Sequence, residues 1–245
     1  MSRELNAGST ISDEDLSLAD WTDADCTDAV FENCTIEGAQ FSDTVLEGSK
    51  FKGCRIVGSR FASANLRDAH FEACVFAQGQ QGPTFAHCGL DEVRFTRCDL
   101  SFARFERSSL YGAAFETCNL RGAAFVGADF SRAFGRKVIR TQVSFSGCSL
   151  ELADLAQARL AGADLTNVSL READLREADL TGADMRNCDL FQALTGGAKF
   201  ADADLRGAEV SGLNLSGLAT CEGMKIDASQ QYRLLTALGL DVYAE

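Results

Sequence analysis

The large apolar residues of this chain recur every five positions for most of its length, each preceded two positions earlier by a small residue. Ala163-Asp164-Leu165, Ala173-Asp174-Leu175, Ala178-Asp179-Leu180 and Ala183-Asp184-Met185 show the unit in its plainest form. With the large residue taken as the centre, centres run in fives from Trp21 to Phe76, from Phe85 to Phe130 and from Phe145 to Leu190, then less regularly from Phe200 to Leu215. An α-helix does not give this pattern: at about 100° per residue, successive centres step by roughly 140° around the cylinder and leave no stripe. A flat strand demands alternation, whereas here two inward positions precede three that point outward or turn. A coil that bends once per unit satisfies the spacing. Four bends close a square turn of twenty residues.

The cysteines keep the same count. Cys34, Cys54 and Cys74 follow at intervals of twenty, as do Cys98 and Cys118, while Cys148 and Cys188 lie two turns apart. Phe alternates with Leu or Ile at the centres from Phe31 to Phe71 and from Phe85 to Phe125. In a square coil this puts Phe on two opposite faces and aliphatics on the other two, a distribution of sizes that fills a narrow interior. The expected fold is all-β, a single solenoid whose core runs along one dimension.

The period breaks twice. From Phe76 to Phe85 the step is nine residues, so four must leave the coil, and residues 77–84 hold two glycines and the only proline of the chain. The Phe/aliphatic alternation stays in phase across them. Between Phe130 and Phe145 the expected centres are Gly135 and Arg140, so residues 131–142 read as a second loop, with Arg132, Arg136, Lys137 and Arg140 on it. A regular solenoid is a rigid platform, and loops on such platforms carry binding. Degenerate repeats or tolerated insertions are the plainer alternative. The partner-contacting candidates are Gln78, Gln80, Gln81 and Pro83 on the first loop and Arg132, Phe134, Arg136, Lys137 and Arg140 on the second.

Beyond Leu215 the pattern changes to a short helix. Asp227 with Gln230 three later is a capping pair, and Gly239 is a helix stop. Leu234, Leu235 and Leu238 form its apolar face. It is expected to cover the open edge of the solenoid, which otherwise invites edge-to-edge pairing, and to join two copies of the chain. The dimer candidates are Gln231, Leu234, Leu235, Leu238, Leu240 and Val242. The chain thus divides into a polar lead-in (1–15), the coil (16–223) and the C-terminal helix and tail (224–245).

Composition narrows the chemistry. Eight of the ten cysteines lie two before a centre, where Ala, Ser, Thr or Val otherwise stand, and so read as small buried residues with reduced thiols. There is no Cys-x-x-Cys, and His70 and His87 fall at outward positions, so no metal site or cofactor is expected. Neither a Gly-x-Ser-x-Gly elbow nor a phosphate-cradling glycine loop occurs, and the many Asp residues recur with the repeat as turn or solvated groups. No catalytic residue is assigned, and an enzyme is not expected. No apolar run approaches the roughly 18 residues of a membrane span. The polar, acidic beginning is unlike a signal peptide, which makes the cytoplasm the expected location.

The net charge of −13 is unevenly spread. Residues 1–80 carry 14 acids and 6 bases, residues 81–140 carry 6 acids and 9 bases, and residues 141–245 carry 16 acids and 8 bases. Two acidic ends flank a basic waist, so direct binding of nucleic acid along the whole surface is not expected.

The Ala-Asp-Leu unit, from about Leu16 to Leu215, resembles the repeat of the pentapeptide-repeat proteins, which implies a right-handed quadrilateral β-helix. By itself that scaffold says nothing of function. The loop pair, the segments Phe85-Ala86-His87-Cys88-Gly89-Leu90 and Phe95-Thr96-Arg97-Cys98-Asp99-Leu100, and the Gln-x-x-x-Leu-Leu-x-x-Leu-Gly-Leu-x-Val tail are similar to the Qnr quinolone-resistance proteins from about residue 45 onward. The resemblance implies a rod-shaped homodimer, joined at its C-terminal ends, that binds DNA gyrase and topoisomerase IV through its loops and protects them from quinolones. It also implies partial imitation of duplex DNA by an acidic rod. About ten coils at roughly 4.8 Å make a rod of some 48 Å, a length over which duplex DNA carries about 28 charges, so imitation by the whole rod falls short. A scaffold without a topoisomerase partner and an immunity protein against a gyrase-poisoning natural product remain alternatives. The acidic extension of roughly thirty residues at the N-terminus departs from the Qnr pattern.

Overall fold

A computed structural model describes residues 6–135 and 138–243. The chain is a parallel β-solenoid, and its rungs follow the twenty-residue count. Phe31 pairs with Phe51 and Phe51 with Phe71, each in parallel register. Isolated bridges join Thr35 to Arg55, Gln40 to Arg60 and Val45 to Asn65, which with the Lys50–His70 pair give four sides per turn. Most hydrogen bonds run from one turn to the next, as when Leu46 donates to Asn65 and Asn65 to Thr44. A buried backbone therefore satisfies its polar groups without any helix.

Each unit bends at the residue two after its centre, which takes a positive φ at Asp13, Asp23, Asp28, Asn33, Asp43 and many other places. The left-handed conformation favours Gly, Asn and Asp, and these residues recur at that corner, although Leu18, Phe102 and Leu152 also adopt it. In several units the Asp before the centre bonds the amide two positions on as well. Thr166 N donates to Asp164 Oδ1 at 3.0 Å and Phe191 N to Asp189 Oδ1 at 2.9 Å. The recurring Asp is thus a turn device.

The two Phe faces form as expected. Phe31, Phe51, Phe71, Phe95, Phe115 and Phe145 stack on one face, and Phe41, Phe61, Phe85, Phe105 and Phe125 on the opposite one, with centroids 4.5–5.2 Å apart. Full burial of each ring stabilises by about 2–3 kcal/mol.

The small position holds a column that extends further than the spacing in sequence suggests. Cys74 lies under Cys98 and Cys118 under Cys148, because the two insertions add residues without changing the phase. Each thiol donates to a carbonyl on the preceding turn: Cys54 to Phe31, Cys74 to Phe51, Cys98 to Phe71, Cys118 to Phe95 and Cys148 to Phe115, all at 3.3 Å. Thr44, Ser59 and Ser108 do the same with hydroxyls. The cysteines therefore act as donors as well as small fillers. Burial pushes the thiols of Cys26 and Cys88 up to about 11 and that of Cys188 up to about 12.

Both ends of the coil differ from the sequence expectation. Thr10–Ser12 is already a strand paired with Val30–Glu32, and Gly8 donates to Thr27, so residues 10–15 belong to the coil and not to a lead-in. Ile11 and Leu16 serve as two further buried centres there. At the other end the ladder reaches Lys225, which bridges Asp204. A 3₁₀ turn at Ala228–Gln230 and an α-helix at Gln231–Ala237 then close the edge. The Asp227–Gln230 capping box forms, and Gly239 takes φ +80°. Buried Gln230 does more than cap: its Nε2 donates to the Leu205 and Ala208 carbonyls, both at 2.7 Å, which ties the helix to the last complete turn.

Candidate functional site

The first insertion is a tight turn. Gln78 and Gln81 exchange backbone hydrogen bonds at 2.9 and 3.1 Å around Gly79, whose φ is +61°. Gln78, Gln80 and Gln81 are exposed. Pro83 is not: it is buried, and its carbonyl accepts from Arg104 N at 2.8 Å, so it anchors the turn and presents nothing to a partner. Beside it Gly82 passes so close to the Phe102 carbonyl that a Cβ would overlap it. Beyond the turn Thr84–Ala86 pairs with Arg60–Ala62 and Arg104–Glu106, and the coil resumes in register.

The second insertion is more ordered than a loop. Ser131–Phe134 and Val138–Thr141 form an antiparallel hairpin in which Arg132 faces Arg140 and Ala133 faces Ile139. Arg136 and Lys137 lie outside the described residues. Hairpin side chains alternate between faces, and the two faces have different surroundings here. Arg132 lies over the Tyr111 ring at 4.5 Å and meets the Asp91 carboxylate at 3.4 Å. Phe134 packs edge-on against Tyr111 with centroids 5.8 Å apart, and Arg140 covers Phe134 at 5.6 Å. Tyr111 in turn donates to Gln142 at the hairpin base, 3.2 Å away. One face is thus folded back onto the coil.

Asp91 is the centre of this latch. It is only 8% exposed, accepts from Ser109 Oγ at 3.1 Å and also meets Arg67 at 3.5 Å. Two guanidiniums on one largely buried carboxylate leave it paired on both oxygens, which makes burial of the charge tolerable.

The opposite hairpin face carries Ala133 and Ile139, both exposed, Ile139 to 69%. Sequence reasoning selected the cations and missed Ile139. Alternation inside a hairpin was the available signal, since it sets Ile139 against the face that holds Arg132 and Arg140. Of the residues proposed for partner contact, Arg132 is committed to its own chain, Phe134 is half-exposed at 45%, and Arg140 covers Phe134.

The dimer candidates also separate. Leu234 is 3% exposed because it packs into the end of its own coil, and is therefore a capping residue. Leu235, Leu238 and Leu240 are 36%, 43% and 52% exposed, Gln231 is exposed and Val242 is half-buried. Tyr232, not selected from the sequence, is 59% exposed on the same helix. Among the described residues no cluster of three His, Cys, Asp or Glu side chains is placed to hold a metal. Among the described residues no helix is long and apolar enough to cross a membrane.

Pentapeptide-repeat models match three stretches of the chain: a pentapeptide repeat region at residues 24–81, nine copies at 90–133 and eight copies at 153–192 and 183–217. The chain belongs to the pentapeptide-repeat family. No curated protein sequence matches it significantly. Among solved structures, trypsin-treated QnrB1, described as a plasmid-mediated fluoroquinolone resistance protein, is similar with a TM-score of 0.73 at 23% identity, covering 94% of this chain and 100% of that one. Full-length QnrB1 gives 0.64 at 23% identity, again over 94% and 100%. A second trypsin-treated QnrB1 variant gives 0.61 at 24% identity over 96% and 99%. At these identities the likeness establishes the fold.

Proposed function

We propose that the protein binds type II DNA topoisomerases, gyrase or topoisomerase IV, and protects them from quinolone-type inhibitors, as a cytoplasmic binding protein and not an enzyme. The observation that carries this reading is the pair of insertions. The coil passes beneath both in unbroken register, and the larger is an ordered hairpin held by Asp91, Arg132 and Tyr111. A rigid rod with one clamped projection loses little conformational freedom on binding. The likeness to QnrB1 over that whole chain agrees with it.

Charge supports the approach to a DNA-binding enzyme, at one end only. Residues 6–49 hold eleven carboxylates and no lysine or arginine. They make about two coils, roughly 10 Å of rod, over which duplex DNA carries about six charges. The N-terminal collar therefore exceeds the linear charge density of DNA, although the rod as a whole falls short. Such a collar speeds encounter with a cationic groove, while the hairpin supplies short-range contact.

The test is a supercoiling assay with purified gyrase and ciprofloxacin, run with and without the protein. Restored supercoiling and co-migration with the enzyme on gel filtration are expected. An intact protein that neither binds gyrase nor restores supercoiling sinks the proposal and leaves the scaffold alternative.

A further inference from the structure

The turn-to-turn ladder opens beside the hairpin. On the side of the coil that leads into the hairpin, Arg107 N donates to Val126 O at 2.9 Å, Leu110 N to Asp129 O at 2.7 Å, and Asp129 N to Ser108 O at 3.0 Å. The same three bonds one turn later would run from Gly127 to Ala156, from Phe130 to Arg159 and from Arg159 back to Ala128. None of them forms among the described residues, and the Asp129–Arg159 bridge is missing from an otherwise regular column. The ladder is intact on both sides of the gap: Phe125 N reaches Asp154 O at 3.0 Å, and Gln157 and Leu160 donate to Arg176 and Asp179 at 2.8 Å.

The hairpin accounts for the gap. The Phe130 carbonyl accepts from Gln142 N at 3.1 Å, so the backbone here serves the base of the hairpin and turns away from the next rung. A cleft of about 330 Å³ results, lined by Phe125, Gly127, Asp129, Gln157 and Arg159 among others. Val126, between the lining residues Phe125 and Gly127 in the chain, is 47% exposed, and Arg159 is exposed and has no ion pair among the described residues.

Three amides and three carbonyls without backbone partners among the described residues are not a neutral surface. Backbone groups in a solenoid are obligatory hydrogen-bonding groups, and an extended chain supplies donors and acceptors at the repeat that two open β-edges require. We propose that this rift receives a short extended segment of a partner protein, which bonds through its backbone to Gly127, Phe130 and Arg159 and sets an acidic side chain against the Arg159 guanidinium and a small apolar one against Val126. The inference is independent of the partner's identity and of the hairpin's outer face.

The probe is a phage-displayed library of random heptapeptides selected against the full-length protein. Selected peptides are expected to carry an acid next to a small apolar residue and to slow exchange of the Gly127, Phe130 and Arg159 amides, which should exchange freely without peptide. Backbone N-methylation of the best peptide, which removes donors and keeps side chains, should weaken binding at least tenfold. Arg159→Ala should weaken it several-fold, whereas Ile139→Asp should leave it unchanged. Selection of no peptide that protects these amides, equal binding of the N-methylated peptide, or protection of the three amides before any peptide is added overturns the proposal.

Discussion

The guanidinium of Arg132 lies 4.5 Å above the ring of Tyr111, and this contact joins the hairpin to the coil. The ring belongs to a turn that precedes the insertion, the guanidinium to the insertion itself. Their stacking, with Asp91 closing the other side, sets the direction in which the hairpin leaves the rod.

A cation over an aromatic ring contributes about 0.5–2 kcal/mol. Tyr111→Ala should therefore shift the docked hairpin toward a free one by roughly 2- to 30-fold, read as faster amide exchange in Val138–Thr141. The coil should keep its β circular dichroism, because Tyr111 lies outside the Phe stacks. Tyr111→Phe keeps the ring and loses only the hydrogen bond to Gln142, so its exchange should lie between those of the native protein and Tyr111→Ala. If exchange is the same in Tyr111→Ala, the latch does not hold the hairpin.

Ile139 is the exposed apolar residue of the hairpin's outer face. A charge there disturbs no internal contact, so Ile139→Asp should fold with an unchanged melting temperature. Loss of a central apolar anchor commonly removes 2 kcal/mol or more of binding. The concentration of protein needed to restore gyrase supercoiling in the presence of ciprofloxacin should rise roughly 30-fold. An unchanged dose dependence would assign recognition to another surface.

Deletion of residues 78–81 restores the five-residue step between Phe76 and Phe85. The excised turn is exposed and contributes one pair of hydrogen bonds, so the shortened protein should melt within a few degrees of the native one. Protection of gyrase should fall. Full protection by this variant shows that the first insertion is dispensable.

The C-terminal helix separates capping from association. Leu234→Ala removes a buried side chain and should cost about 2–5 kcal/mol, chiefly by loosening the end of the coil. Leu235→Glu with Leu238→Glu changes exposed positions and should leave the monomer fold intact while dissociating the proposed dimer in light scattering. A stable dimer of the double variant would place the interface elsewhere.

Nine of the ten cysteines are buried and Cys221 is exposed. With Ellman's reagent at pH 8, one thiol should react in native protein and the remainder only after unfolding. Burial holds the Cys26, Cys88 and Cys188 thiols protonated up to about pH 11–12, while unfolded thiols ionise near pH 8.5. The folded state then keeps protons that the unfolded state releases. Stability from this source is complete below about pH 8 and declines as pH rises toward 11, which alkaline melting curves would show. Rapid reaction of several thiols in native protein would contradict the buried column.

The sequence alone determined the coil, because a period of five with a small residue two before each large one has a single way to bury both. It also determined the two Phe faces, the phase across the first insertion and the helix cap, since each rests on local spacing or on the Asp227–Gln230 pair. Tertiary structure decided how the interruptions are used. Composition marks residues 131–142 as basic, but whether Arg132 faces a partner or Asp91 depends on a carboxylate some forty residues earlier in the chain. Leu234 and Leu235 look alike in sequence, and only the end of the coil distinguishes the buried one from the exposed one. The open rungs at Gly127, Phe130 and Arg159 leave no mark in the period at all. Side-chain spacing is local, whereas a backbone bond between turns requires two distant segments to meet, and the hairpin keeps these two apart.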